Sequence, residues 1–380
     1  MVGTLGCSAG TAPSDDSSPR VGAEVPAAAL TRLARAWDAG DEAAAADLAS
    51  PGDADARELL AIPARNVRAL GLRDVRLERS TPGSARVSWR MPAVDSSPSR
   101  VNVRVRVTGR GLAIEPTTTS PMPLWLTEPQ LTEREVGSVR VLGAPQHNLA
   151  RILGDARRAR SVVRRAWPTW DGRLVVEVAS SQQRMAAALG RSPAAYNGIA
   201  AVTSSSDGTT GSTTPVHVFV NPLVYAGMSA QAARVVMAHE VVHVATRAPV
   251  TPVPLWWAEG VAEHLGFAAV ALPVARSLSA AARADLLARI TRHGPPRRLP
   301  GPAAFAGPHR DAAYATARVA VAVLADLEPR SGRSSEQALA QFQARLAAGT
   351  ELDSALRAVF GIDRDAFIGR WRAALVRMTL

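Results

Sequence analysis

The sequence predicts an α+β fold made of two domains. At 380 residues the chain is long for a single domain, and a hydrophobic content of 47% is enough for a sizeable core. Helices followed by alternating strands occupy residues 26–120. A region with a few short strands and many helices occupies residues 137–380, and the Pro-containing residues 121–136 read as the linker between the two.

The N-terminal residues 1–25 are rich in Ser, Pro, Asp and Gly, which predicts a disordered tether. Residues 4–10 (TLGCSAG) resemble the end of a bacterial lipoprotein signal, in which a small residue precedes a lipidated cysteine, here Cys7. The charged and apolar segments of such a signal are absent, and a start codon placed too late would explain this. The resemblance implies an extracytoplasmic protein, secreted or lipid-anchored at Cys7; the alternative is a cytoplasmic protein with an isolated cysteine. Cys7 is the only cysteine, so the sequence has no disulfide framework.

The first domain begins with a helix predicted over residues 28–48. Residues 38–41 interrupt it, and a second short helix follows from Glu42. Strands are then predicted at 75–79, 85–91, 101–107 and near 111–115; the third has a period-2 pattern with one apolar face. Together with the stretch 36–45 (AWDAGDEAAA), this order resembles the NTF2-like fold, whose members hold ligands or act as scaffolds. The region has no paired acids or histidines, so no chemistry is assigned to it.

The second domain alternates short strands and helices before it becomes helical. Helices are predicted over 148–166 and 181–189, strands over 174–178, 199–203 and 216–220, and a polar loop over 204–214. Ser229 is a good N-cap for a helix that runs to about Arg247, where Pro249 stops it. A further helix begins near Pro254. Residues after 277 are predicted to be helical, with breaks at 294–296, Gly332 and Gly361.

The most informative motif lies on the helix predicted to begin at Ser229. His239-Glu240-Val-Val-His243 places two imidazoles one helical turn apart, so both can reach one metal ion. Glu259 would supply a third ligand and leave a fourth position open, which is the arrangement of a catalytic zinc site. Glu240 stands beside the histidines, where it can accept a proton from a metal-bound water. A chain of this composition would contain the pentapeptide by chance about once in a hundred.

These motifs resemble those of the gluzincin clan of metallopeptidases, in particular its bacterial peptidase-MA-like group. That group follows H-E-x-x-H with Pro-x-Trp-x-x-E-G-x-A-E, which stands here at 254–263 (PLWWAEGVAE). The resemblance covers residues 140–380 and implies one zinc ion bound by His239, His243 and Glu259, with Glu240 as the base. It also implies that strand 216–220 borders the cleft, where a substrate backbone can pair with its edge. The spacing differs from that of well-known members: fifteen residues separate His243 from Glu259.

Several side chains are candidates for supporting roles. Glu263 lies one turn after Glu259 and is expected to hold the outer nitrogen of a zinc-bound histidine; the alternative is a solvent-exposed acid. Tyr314 and His309 are the candidate donors of a hydrogen bond to the oxyanion. The alternative for Tyr314 is a tyrosine that belongs to the core. His264 should point away from the metal. Trp256 and Trp257 are expected to be packing residues that seat the second helix; a position in the wall of the cleft is the alternative.

The charge of the chain says little about its partners. The net charge is +11, and all 44 cationic residues are arginine. The densest run lies between residues 151 and 165 and is interpreted as a solvated helix face rather than a phosphate or membrane patch. Aromatic residues are only 4% and do not interleave with the arginines, so no nucleic-acid partner is expected. The sequence therefore predicts a zinc peptidase acting on peptides or proteins; the alternative is a surface lipoprotein whose zincin-like domain binds a partner with little hydrolysis. The oligomeric state is left open.

Overall fold

The computed structural model describes residues 25–108, 111–115, 120–211, 213–271, 280–329 and 334–379. The fold is mixed α and β, with one antiparallel and one mixed sheet. Cys7, the predicted tether apart from Val25, and the predicted break at Gly332 lie outside the described residues. Among the helices of the described part, none has the length and apolar character needed to cross a bilayer.

Three helices precede the first sheet. They are α1 (Ala27–Ala39), α2 (Glu42–Ala46) and α3 (Ala54–Leu70). The predicted interruption is confirmed: Gly40 ends α1 in the left-handed conformation, and Asp41 caps α2 by accepting a hydrogen bond from Ala44 N. Helix α3 is missing from the prediction, although Asp53 at its N-cap and Gly71 after its last turn are ordinary helix signals.

The first sheet is an antiparallel meander in the order β1-β2-β3-β4. Its strands, all predicted, are β1 (Arg73–Thr81), β2 (Ser84–Arg90), β3 (Ser99–Thr108) and β4 (Gly111–Glu115). In β3, buried Val101, Val103 and Val105 alternate with exposed polar residues. The apolar face packs against the helices and forms the first core, which includes Trp37 and Leu60.

The second sheet has five strands in the order β5-β6-β7-β9-β8. They are β5 (Thr132–Val136), β6 (Val139–Gly143), β7 (Leu174–Val178), β8 (Ala201–Ser205) and β9 (Val216–Val220). Strands β6, β7 and β9 run parallel, and β5 and β8 pair antiparallel at the two edges. Both faces are covered, so the central strands are buried throughout, as expected for parallel strands between two layers.

The two faces of this sheet belong to different cores. Val176 and Val218 contribute to the second core, whereas their neighbours Val175 and Phe219 contribute to the first. Residues 121–136 carry the buried helix α4 (Leu124–Thr127) and strand β5, so regular structure occupies much of the predicted linker. The division of the chain into two domains at this segment stays a prediction.

Helices on the other face of the second sheet build the second core. Those before the metal-site motif are α5 (Leu149–Ala166) and α7 (Pro222–Ala226). Helix α6 (Gln182–Ala188) lies between them in sequence but contributes Met185 and Ala188 to the first core. The motif lies on α8 (Ala230–Thr246) and α9 (Leu255–Ala268). The remaining helices are α10 (Ala280–His293), α11 (Pro302–Ala306), α12 (Arg310–Ala325), α13 (Ser335–Ala347), α14 (Leu352–Phe360) and α15 (Arg364–Thr379).

The basic run of the sequence lies on α5, as predicted. Arg157, Arg158, Arg164 and Arg165 are exposed on the side of the helix away from the core. Two other arginines of the run donate hydrogen bonds to backbone oxygens. Arg160 Nε donates to Gly172 O, and Arg151 Nη2 donates to Met228 O. Part of the basic face therefore has a structural role.

A buried histidine joins the loop after β2 to the second sheet. The Nδ1 atom of His217, on β9, lies 2.8 Å from Glu177 Oε1 on β7, and its Nε2 lies 3.1 Å from Asp95 Oδ1. The His217 side chain is 3% exposed. Burial lowers the pKa of His217, but the charges and hydrogen bonds of Asp95 and Glu177 outweigh burial and raise it to about 10. The histidine is therefore an imidazolium between two carboxylates at neutral pH.

Candidate metal centre

Helix α8 presents the two histidines of the motif on one face. Its predicted start is confirmed, since Ser229 Oγ accepts a hydrogen bond from Ala232 N. Its end is also confirmed: Arg247 follows the helix with a positive φ of 53°. His239 and His243 therefore lie one turn apart, with their Nε2 atoms 3.1 Å from each other.

Helix α9 runs close against α8 and brings Glu259 to the histidines. A Cβ atom built on Gly266 would lie 3.1 Å from Val235 O and 3.4 Å from His239 Cβ, so a glycine suits this crossing. Glu259 Oε2 lies 3.4 Å from the Nε2 atoms of both His239 and His243. The three ligand atoms thus form a nearly equilateral triangle.

The three ligand atoms lie close enough together to bind one metal ion. Zn–N and Zn–O bonds of about 2.0–2.2 Å place neighbouring ligands about 3.3–3.6 Å apart. The observed separations are 3.1, 3.4 and 3.4 Å. Two imidazole nitrogens and one carboxylate oxygen are also a donor set that zinc accepts. These residues could hold a metal ion, and they are the one such group of three among the described residues.

The charges around the triangle are those of a cation site. Burial raises the pKa of Glu259, but the charge of His243 and hydrogen bonds with both histidines lower it more, so its net pKa lies far below the usual range. Burial lowers the pKa of His239, yet its contacts with Glu259 and Glu263 leave it well above the usual value. The raised pKa of His239 and the lowered pKa of Glu259 reflect the attraction between the two groups, and a metal ion would compete with the proton for the same atoms.

Glu263 contacts the outer nitrogen of one histidine. Its Oε1 atom lies 3.2 Å from His239 Nδ1, and its side chain is 21% exposed, which disfavours the reading of a solvent-facing acid. The contact fixes the ring so that Nε2 points toward Glu259. His243 differs: its Nδ1 is buried, and no hydrogen-bond partner for it is found in the described part of the chain.

Glu240 lies beside the triangle and is held by a threonine that the sequence does not single out. The Thr203 hydroxyl, on β8, lies 2.7 Å from Glu240 Oε2 and 2.9 Å from Glu240 O, so it can donate to either oxygen. Both residues are buried. Thr203 is the last residue of a predicted strand, and strand periodicity alone gives no sign of its contact with a helix.

The ring of Tyr314 lies next to the ring of His239. Its ring centroid is 6.4 Å from that of His239, and Phe305 packs edge-on against its other side. Burial, followed by the charges of Glu259 and the two neighbouring glutamates, raises the Tyr314 pKa well above its usual value. The hydroxyl therefore keeps its proton at neutral pH and remains a hydrogen-bond donor.

A glycine of the motif explains how Tyr314 comes so close. A Cβ atom built on Gly260 would lie 2.6 Å from Ala317 O, so α9 and α12 approach each other more closely than a side chain would allow. The other candidate donor lies elsewhere: His309 is half exposed and contacts Asp285 at 3.1 Å. The structure thus brings Tyr314, and not His309, to the cluster.

The two tryptophans of the motif have packing roles, and the histidine that follows the motif is His264. Trp257 is fully buried, donates a hydrogen bond to Gln343 Oε1 and packs edge-on against Phe342. Trp256 packs against Phe367. Burial lowers the pKa of His264 to about 4, so this histidine is neutral at pH 7. It is not part of the ligand triangle.

One expectation about the cleft is wrong. Strand β9 was expected to offer a free edge, but β7 pairs with one side of it and β8 with the other. The edge strand on this side of the sheet is β8, which carries Thr203. The error arises because strand order is not encoded locally: the strand that precedes α8 in sequence lies one position inside the sheet.

Comparison with known proteins gives no family assignment. No protein-family model matches the chain, and no curated protein matches it.

Proposed function

We propose that this protein is a zinc-dependent peptidase of the gluzincin type. The observation that carries the proposal is the triangle of His239, His243 and Glu259, whose ligand atoms lie 3.1–3.4 Å apart, close to the spacing expected around a tetrahedral zinc ion. The buried Glu240 beside it and the Glu263 contact with His239 are the further parts that such a site needs. Zincin architecture for the second half and an NTF2-like fold for the first belong to the same proposal.

The roles of the protein's side chains follow from their positions. Zinc, when bound, would lower the pKa of a bound water to about 7 and polarise the scissile carbonyl. Glu240 would accept a proton from the water that attacks the scissile carbonyl carbon, and would then donate the proton to the leaving amine. Tyr314, which keeps its proton, would donate a hydrogen bond to the carbonyl oxygen as negative charge develops on it.

The edge strand β8 is the proposed place for the substrate backbone. It pairs only with β9 among the described strands, so its other edge has unpaired main-chain groups. A peptide added along this edge would run past Thr203 and therefore past Glu240. Location outside the cytoplasm, with an anchor at Cys7, is also part of the proposal.

Metal analysis and hydrolysis together test the proposal. Purified full-length protein should contain about one zinc per chain, and Glu259→Ala should lose it. Glu240→Gln should keep the metal and lose zinc-dependent cleavage of peptides, whereas the exposed-site control Glu336→Gln should retain both. A parent protein that takes up no zinc would overturn the proposal. Full zinc with no cleavage over a broad set of peptide and protein substrates would favour a zincin-like binding protein instead.

A further inference from the structure

A cavity lies behind α12, on the side away from the metal centre. Its volume is about 600 Å³, and α10, residues 294–300, α11, α12 and Trp371 of α15 surround it. On α12, Ala312, Ala313 and Thr316 face this cavity, whereas Tyr314 lies on the opposite side of the helix, near His239. The cavity is therefore separate from the proposed active site.

The floor of the cavity is apolar. Leu286, Ala312, Ala313 and Trp371 are all buried there. The polar atoms of the floor are already used: Trp371 Nε1 donates to Thr316 O, and Thr316 Oγ1 donates to Ala313 O, both at 2.9 Å. The floor can therefore accept an apolar group, but it offers little to the hydrogen-bonding groups of a nucleotide or sugar.

The rim has the opposite character. Exposed Arg289, His293, Arg297 and Arg298 surround the opening, together with His309. No Asp or Glu occurs among the described residues that line the cavity, and nearby Asp285 is already in contact with His309 at 3.1 Å. Guanidinium groups donate charge-assisted hydrogen bonds to carboxylates, so the rim suits a carboxylate group.

We infer that this cavity, called here the cationic pocket, binds a long-chain carboxylate of the fatty-acid type. The apolar floor takes the alkyl chain, and the arginines of the rim take the carboxylate. The volume lies within the range of about 300–1,000 Å³ that small-molecule sites occupy. The inference does not depend on the proposed peptidase function, since no residue of the metal centre lines the pocket.

Calorimetric titration of the full chain tests the apolar floor and the cationic rim separately. Decanoate should bind, whereas butyrate, decanol and decyltrimethylammonium, which lack the chain, the charge or its sign, should bind much more weakly. The double variant Arg297→Gln/Arg298→Gln should weaken decanoate binding about tenfold or more. Ala304→Trp, at an exposed lining position, should fill the opening and abolish binding.

The matched control is Arg157→Gln/Arg158→Gln, which removes the same charge from the exposed face of α5. It should bind decanoate as the parent does. The inference is overturned if the parent does not bind decanoate, or if it binds decanol or decyltrimethylammonium equally well. Unchanged decanoate binding in both the rim variant and Ala304→Trp would overturn it too, because binding would then lie elsewhere.

Discussion

The contribution of Glu263 to the proposed zinc affinity can be measured without a known substrate. It contacts His239 Nδ1 at 3.2 Å and thereby fixes the ring that offers Nε2 to the metal. Glu263→Ala should lower the affinity for zinc by about 10- to 100-fold, because the ring loses its partner. Competition with a chromophoric chelator at constant pH measures the change.

The control for this experiment is Glu336→Ala, which removes an exposed carboxylate from the first turn of α13. It should leave zinc affinity unchanged. Equal affinities of the Glu263 variant and the parent would show that His239 is oriented by packing alone.

Substitution of Thr203 is expected to affect catalysis and not metal binding. Its hydroxyl, 2.7 Å from Glu240 Oε2, holds the carboxylate of the proposed base. Thr203→Val keeps the shape but removes the donor, so zinc content should stay and kcat should fall about tenfold. Thr203→Ser should restore most of the loss. A valine variant with the kcat of the parent would show that the hydrogen bond has no part in the reaction.

The residues of the site differ in how well the sequence alone predicts that they belong to it. His239, Glu240 and His243 lie within two helical turns, so helix geometry alone predicts that they share a face. Glu259 and Glu263 require only that α9 packs on α8. Thr203 is different, since its contact with Glu240 depends on the position of β8 in the sheet. Single-sequence patterns do not contain that information.

At the scale of elements, Gly260 controls the approach of α9 to α12. A Cβ atom there would lie 2.6 Å from Ala317 O and 2.9 Å from a Val321 methyl. Gly260→Ala should therefore lower the free energy of unfolding by about 1–3 kcal/mol, since buried helices must move apart. Urea denaturation followed by circular dichroism measures this.

A matched control exists in α15. Gly369 is also helical, but a Cβ atom there meets nothing within 4 Å. Gly369→Ala should stabilise the protein by up to about 1 kcal/mol, because alanine has the higher helix propensity. If both glycine variants changed stability equally and in the same direction, close packing at Gly260 would not explain the result.

Helices and strands with clear periodicity were the predictable elements. The strands of the first sheet and the helices α5, α8 and α9 follow from apolar spacing and capping residues. Strands β5 and β6 are missing from the prediction, although Gly137, between them, has the positive φ of a tight turn. The sequence between 121 and 136 contains three prolines, Pro121, Pro123 and Pro129, which flank α4 and favoured the prediction of a linker over regular structure.

At the scale of the whole molecule, the two sheets are held together by contacts that no local pattern reveals. The first core continues onto one face of the second sheet through Val175 and Phe219. Arg140, on β6, donates to the O atom of Leu70, the last residue of α3, at 2.9 Å, and His217 contacts Asp95. The halves therefore share apolar surface and buried charges, and loss of one buried charge should affect the stability of both.

The charge of His217 makes the stability of the folded protein depend on pH. Its pKa is raised from 6.5 to about 10 in the folded protein, so folding favours the protonated form. The resulting stabilisation is fully present below pH 6.5 and is lost as the pH rises toward about 10. Over that range the free energy of unfolding of the parent should fall by a few kcal/mol relative to a variant without the imidazole.

His217→Gln provides that comparison, with urea unfolding followed by tryptophan fluorescence at several pH values between 6.5 and 10. The parent should be the more stable at the lower end, because glutamine leaves the buried Asp95 and Glu177 without a cation. The difference should shrink as His217 loses its proton. Asp95→Asn should move the loss to lower pH, because one of the charges that raise the His217 pKa is removed. A stability difference that stayed constant across the range would show that His217 is neutral in the folded protein and acts only as a hydrogen-bonding group.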